Sequence, residues 1–239
     1  MKSENNAIII PEGLLSPSTG GTKGSLLLHA CCAPCSSAIV EWMLQHDIRP
    51  TIFYFNPNIY PRQEYEIRKN ESKRHADSLG IPWIDGDYDH QAWLQQIQGL
   101  EHEPERGARC LQCFRIRLTA TALQAQKLGI SHFATTLASS RWKNLEQINQ
   151  AGLQAQQHLA SLTTPSHPLT PSPSLLAPPS VPLFWPQNWR KAGLQERRNQ
   201  LLKQYSFYNQ RYCGCEFSYK PAEEDKTAPP HPASEHGKG

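Results

Sequence analysis

Leu26-Leu27-Leu28-His29-Ala30-Cys31-Cys32-Ala33-Pro34-Cys35-Ser36-Ser37 is the stretch on which the reading of this chain turns. A short apolar run reads as a strand over 25–30, and it stops at three cysteines packed into five positions. Beyond Pro34 the spacing becomes helical, with Ile39, Val40, Met43 and Leu44 on one face of a helix expected over 36–46. A strand that breaks into a loop and then a helix is where α/β proteins keep their chemistry. Here the loop offers soft sulfur ligands instead of glycines.

The same alternation continues outward. The run 50–55, β-branched and aromatic, reads as a second strand, and Asn56-Pro57-Asn58 ends it as a turn. A charged helix over 61–79 closes at Gly80, a third strand follows over 81–85, and a helix over 90–100. The next helix runs from 109 to 128 and ends at Gly129, a fourth strand covers 132–137, and another helix begins over 144–152. This order predicts an α/β fold, a mostly parallel sheet covered by helices on both faces. A basic helical segment is expected over 194–208. Residues 1–24 read as a disordered leader and 220–239 as a disordered tail, bracketing a single α/β domain over 25–219. Prolines at 165, 168, 171, 173, 178, 179 and 182, mixed with Ser and Thr, mark 163–182 as a flexible insertion.

Composition sets the class. The chain has 239 residues, only 38% of them apolar, with 20 prolines and a mean hydropathy of −0.59. The net charge is +3 and the pI about 8.5, mildly basic. No signal peptide and no run of 18 apolar residues is found, so neither export nor a membrane is expected, and the compartment expected is the cytoplasm. In that reducing setting seven clustered cysteines point to metal ligation or redox work rather than structural disulfides.

Cys110-Leu111-Gln112-Cys113 opens a helix, where free N–H groups and the dipole are expected to lower thiol pKa and suit a metal or iron–sulfur cluster; a thioredoxin-like pair is the alternative. Two of Cys31, Cys32 and Cys35 would complete a four-thiolate set for zinc or a [4Fe–4S] cluster. Simple burial is the competing reading, above all for Cys35. Cys213-Gly214-Cys215 could close a strained, redox-active disulfide, or ligate the same centre. A cluster-bearing reductase, a zinc-stabilised RNA-binding module and a metal-free thiol oxidoreductase all remain open at this point. His29, Tyr212 and Glu216 lie close to the cysteines in sequence as candidate proton donors, with a structural role favoured for His29.

Aromatic and basic residues interleave. Phe184, Trp185 and Trp189 beside Arg190 and Lys191 are expected to offer platforms for a base stacked out of an RNA strand. The basic helix adds Arg197, Arg198 and Lys203. Arg106, Arg109, Arg115 and Arg117 flank the CxxC pair and are read as phosphate contacts, whereas Arg68 to Arg74 read as a solvated helix face.

Taken in order, these stretches resemble the QueH family of epoxyqueuosine reductases. The residues carrying the resemblance are His29–Cys35, Phe55–Ile59, Arg106–Leu118, Thr135-Thr136-Leu137, Lys143-Asn144, Phe184–Gly193 and Phe207–Cys215, within a match from about 25 to 219. The resemblance implies a sheet like that of the nucleotide α-hydrolases (HUP-like), with a C-terminal helical segment. It also implies reduction of the epoxide of epoxyqueuosine at the tRNA wobble position, the last step of queuosine biosynthesis. By position it assigns a [4Fe–4S] cluster to Cys31, Cys32, Cys110 and Cys113, a redox-active pair to Cys213 and Cys215, and a possible second iron to Cys35. Neither cobalamin nor ATP is expected. The implied partners are tRNAs with GUN anticodons (aspartate, asparagine, histidine and tyrosine) and an external electron donor.

Overall fold

The structure, a computed structural model, describes residues 7–14, 26–163 and 180–219. Five strands form one all-parallel sheet in the order β3-β2-β1-β4-β5. They are β1 (Leu26–His29), β2 (Pro50–Tyr54), β3 (Trp83–Asp85), β4 (His132–Thr135) and β5 (Leu183–Phe184). In register, Leu28 faces Ile52 on one side and Ala134 on the other. β1, β2 and β4 are buried throughout, as parallel strands with both faces covered must be.

The helices are α1 (Ala33–Gln45), α2 (Arg62–Ser78), α3 (His90–Gln96), α4 (Ala108–Leu128), α5 (Leu145–Thr163) and α6 (Leu194–Gln204). α1 packs with α2 and α6, and α4 packs with α5 as a second layer. The chain runs β1 to β3 toward one edge, then returns to place β4 and β5 on the other side of β1. That reversal opens a crevice between the carboxyl ends of β1 and β4, where open α/β sheets bind ligands. Cys31 and Cys32 follow β1 after Ala30, and Thr136 directly follows β4.

Several expectations are corrected at their edges. α1 begins at Ala33, not 36, because Pro34 is tolerated in a first turn; Cys35 is therefore helical. The helix expected over 90–100 ends at Gln96, and β4 gives way after Thr135 to a 3₁₀ turn, Thr136–Ser139. β5, two residues long, carries no periodicity of its own and forms by pairing with β4. Within the supposed leader, Leu14 is buried, Ile8 and Ile10 pack on the core, and the Ile9 carbonyl accepts the Trp185 indole N–H at 3.0 Å. The disordered leader is thus corrected at 7–14; its other residues lie outside those described. The insertion at 163–182 lies outside them too, except at its ends, where Val181 packs on the core. The tail from 220 also lies outside.

Candidate metal and redox centre

The end of β1 is fixed from three sides. His29 is fully buried, and its Nε2–H donates to the Phe55 carbonyl at 3.1 Å. Nδ1 is left to accept from the Thr135 hydroxyl at 2.8 Å. Burial, with Arg117 second, pushes the His29 pKa down to about 3, so the ring stays neutral and acts as a pin between strands. The structural role favoured for it stands. Asn56 donates to the Ala30 carbonyl at 2.9 Å and is itself held by the Arg117 guanidinium. A backbone braced on both sides thus delivers Cys31 and Cys32 into the crevice. There Cys31 N–H donates to Thr136 Oγ1 at 3.3 Å, and its sulfur lies 3.6 Å from the same hydroxyl.

The sulfurs of Cys31, Cys32 and Cys35 all lie within 4.8 Å of one another, and all three residues are buried. Cys31 and Cys32 are 3.8 Å apart, matching the ~3.8 Å edge of a tetrahedron with metal–sulfur legs of about 2.3 Å. The trio fits a thiophilic metal. The first turn of α1 is what brings Cys35 into it. Without metal, the Cys32 thiol first and Cys35 next hydrogen-bond the Cys31 sulfur and hold its pKa well below the thiol range. The cost falls on the neighbours. Burial, with Cys31 next, pushes Cys32 well up, and Cys31 leads in pushing Cys35 up to about 11.

Cys110 and Cys113 stand outside that trio, and each interacts electrostatically with Cys213 and Cys215. Cys113 and Cys215 share a small apolar cluster with Trp93 and Ile97. Cys110 accepts the Arg106 backbone N–H at 3.3 Å. The expected lowering of these thiols at the α4 N-terminus is overturned. Burial outweighs the dipole, raising Cys110 and pushing Cys113 up to about 12. All seven cysteines are free thiols here.

Two side chains join the groups. Gln210 donates to Cys32 Sγ at 3.2 Å, and its backbone leads into Cys213. Lys143, half-buried, feels the sulfurs of Cys213, Cys31 and Cys35. Burial opposes its charge, but those sulfurs outweigh burial and hold the ammonium pKa above the lysine range. Neither was given a role from sequence, since glutamine carries no chemical signature and Lys143 is far from any cysteine in the chain.

The 213–215 segment is held by a buried clamp. Arg68, 2% exposed, pairs with Glu64 at 2.6 Å and donates to the carbonyls of Cys213 (3.1 Å) and Tyr212 (3.3 Å). Tyr208 donates its hydroxyl to Glu64 at 2.8 Å, and Tyr60 N–H donates to the Gly214 carbonyl at 2.8 Å. Arg68 is therefore no part of a solvated face. Of the arginines read as phosphate contacts, Arg109 is buried, donating to the Glu101 carbonyl at 2.6 Å, and Arg117 is buried on Asn56. Arg115 donates to the Gln154 side chain at 2.9 Å. Trp185 and Trp189 are core residues, not platforms; the Trp189 indole donates to the Thr135 carbonyl at 2.9 Å. Of the other proton-donor candidates, Tyr212 gives its hydroxyl to the Tyr60 carbonyl, and Glu216 lies 3.0 Å from His90 Nε2.

The family profile "Epoxyqueuosine reductase QueH" matches residues 26–165 and 179–221. The Acinetobacter baylyi protein of that name is 42% identical over 82% of this chain and 80% of its own length. The Haemophilus influenzae one is 40% identical over 92% and 80%, and the Histophilus somni one 40% over 82% and 72%. A solved Methanocaldococcus jannaschii structure, described as a predicted subunit of tRNA methyltransferase, aligns over 78% of this chain and 93% of its own at a TM-score of 0.38 and 12% identity. The chain belongs to the QueH family of epoxyqueuosine reductases and is an oxidoreductase of that family.

Proposed function

We propose that this protein reduces the epoxide of epoxyqueuosine, carried at the wobble position of tRNAs with GUN anticodons, to the alkene of queuosine. Breaking both carbon–oxygen bonds of the epoxide consumes two electrons and two protons and releases one water. Cys31, Cys32, Cys110 and Cys113 are proposed to hold a [4Fe–4S] cluster, which would supply electrons one at a time. Cys35, the third sulfur of the trio, is free to take a second iron. Cys213 and Cys215 yield two electrons and two protons when an S–S bond closes between them, and an external donor reopens it.

Lys143 Nζ keeps its charge among these sulfurs and offsets negative charge that builds up between them. Gln210 orients Cys32, and the buried walls around Trp93 keep water from the sulfurs. One observation carries the reading. A buried trio of sulfurs, close enough to share one ion, sits at the crevice between β1 and β4.

The test is anaerobic purification with metal and sulfide analysis, then incubation with epoxyqueuosine-containing tRNA and a low-potential reductant. Expected are iron with inorganic sulfide, visible absorbance, and queuosine in the digested tRNA. One zinc per chain with no conversion would point instead to a binding module. Conversion surviving complete metal removal would point to thiol chemistry alone. Iron-loaded protein that makes no queuosine would overturn the reading.

A further inference from the structure

Most arginines near the centre are consumed inside the fold, but one group is not. Arg106 and Arg190 grip a single turn, 140–143, from two sides. Arg106 donates to the carbonyls of Trp142 (2.8 Å) and Arg141 (3.1 Å), and Arg190 donates to those of Lys143 (2.8 Å) and Ser140. The turn displays Arg141 and Trp142, the indole 58% exposed. Among the described residues no carboxylate pairs with Arg106, Arg141, Arg190 or Lys143, and no ring stacks on Trp142. Burial first, and then repulsion from Arg106 and Arg141, lowers the Arg190 pKa. Arg106, Arg141 and Arg190, gathered without an acid, repel one another, and an anion brought among them relieves that repulsion.

The patch adjoins the sulfur centre. Arg106 N–H donates to Cys110 Sγ at 3.3 Å, and Lys143, next in sequence to Trp142, interacts electrostatically with Cys213, Cys31 and Cys35. Within two residues the chain passes from an exposed indole to the sulfurs.

We propose that this turn is the grip for the single-stranded anticodon loop, with Trp142 stacking a base beside the modified one and Arg141, Arg106 and Arg190 facing its phosphates. The proposal rests on the tRNA reading above. Arg106 and Arg190 also buttress the turn, so Arg141 and Trp142 are the clean probes: both are exposed, and the side chain of neither makes a hydrogen bond among the described residues.

The experiment uses the full-length, metal-loaded protein and fluorescently labelled epoxyqueuosine tRNA, with affinity measured by anisotropy across a salt series. Trp142→Ala is expected to weaken binding roughly ten-fold with the salt slope kept, and Trp142→Phe to restore most of it. Arg141→Gln is expected to reduce the slope of log affinity against log salt by about one. Lys127→Gln, exposed ~25 Å away along α4, should change neither. If the parent binds and both Trp142→Ala and Arg141→Gln bind with its affinity and slope, the grip lies elsewhere while the tRNA reading stands. If the parent itself shows no salt-dependent binding, the tRNA reading fails.

Discussion

The two sulfur groups of this protein are built by different means. Cys31, Cys32 and Cys35 fall within five consecutive positions, and the sheet places them: β1 aims the chain, His29 and Asn56 pin its end, and α1 turns Cys35 back. Cys110 and Cys113 meet Cys213 and Cys215 only because distant segments dock. That docking joins a small apolar cluster around Trp93 and Ile97 to a polar clamp, through the Arg68–Glu64 pair, the Tyr208 hydroxyl, and Arg109 lying 5.0 Å over the Phe217 ring. A centre placed by a buried sheet is stiff and keeps its spacing. One placed by a charge network depends on every member of that network, which suits a segment whose thiols must open and close.

The largest effect separates the groups by function. Cys32→Ala removes one sulfur of the trio and is expected to cut epoxide reduction by more than about 100-fold, beyond the usual effect of residues that merely support a ligand. Metal per chain, measured on the same sample, should fall with it, whereas Cys213→Ala should lose activity and keep its metal. Equal metal loss in both would dissolve the distinction between the two groups.

Next is the clamp. Arg68→Met leaves Glu64 buried without its cation, and a loss of about 3–5 kcal/mol in denaturant unfolding is expected. Adding Glu64→Gln should return most of it; no recovery would mean that the pair does not hold the 213–215 segment.

His75, buried against the edges of Tyr205 and Phe207, reports on the same docking. Burial lowers its pKa to about 4, against 6.5 in the unfolded chain, so protonation favours unfolding. Its contribution is whole above about pH 6.5 and fades as pH falls toward 4, by at most ~3 kcal/mol. A stability profile of His75→Leu should show a shallower acid limb over that interval, and an unchanged limb would assign it to other groups.

The smallest effect tests the turn between the paired thiols. Gly214 has φ +125°, and a Cβ there would meet Arg68 Nη1 and Ile59 Cγ1, each at 3.0 Å. Gly214→Ala is expected to cost of order 1–3 kcal/mol and to slow turnover, with the metal of the trio retained. A variant matching the parent in both melting and rate would show that the turn tolerates a side chain.

Much of this was legible in the chain itself. The apolar run ending at Cys31, the helix stops at Gly80 and Gly129, and the alternation of elements are local signals, and they led to a parallel sheet with its chemistry after β1. The same grammar misjudged the arginines and tryptophans. Arg68 reads as a solvated face, Arg109 and Arg117 as phosphate contacts, and Trp185 and Trp189 as platforms, because composition cannot tell an exposed guanidinium from one satisfied in the interior by backbone carbonyls and a carboxylate. Trp142 gave no signal as the exposed ring.

Sequence alone therefore determined the class of fold, the sulfur-rich turn and the family resemblance, since each depends on residues near one another in the chain. Tertiary structure alone decided that Cys31, Cys32 and Cys35 lie close enough to share an ion, which arginines are buried, and that Lys143 interacts electrostatically with sulfurs of both groups. Those outcomes depend on which distant segments exclude water from one another, and burial decides whether a charge is paired inside or left to meet a ligand.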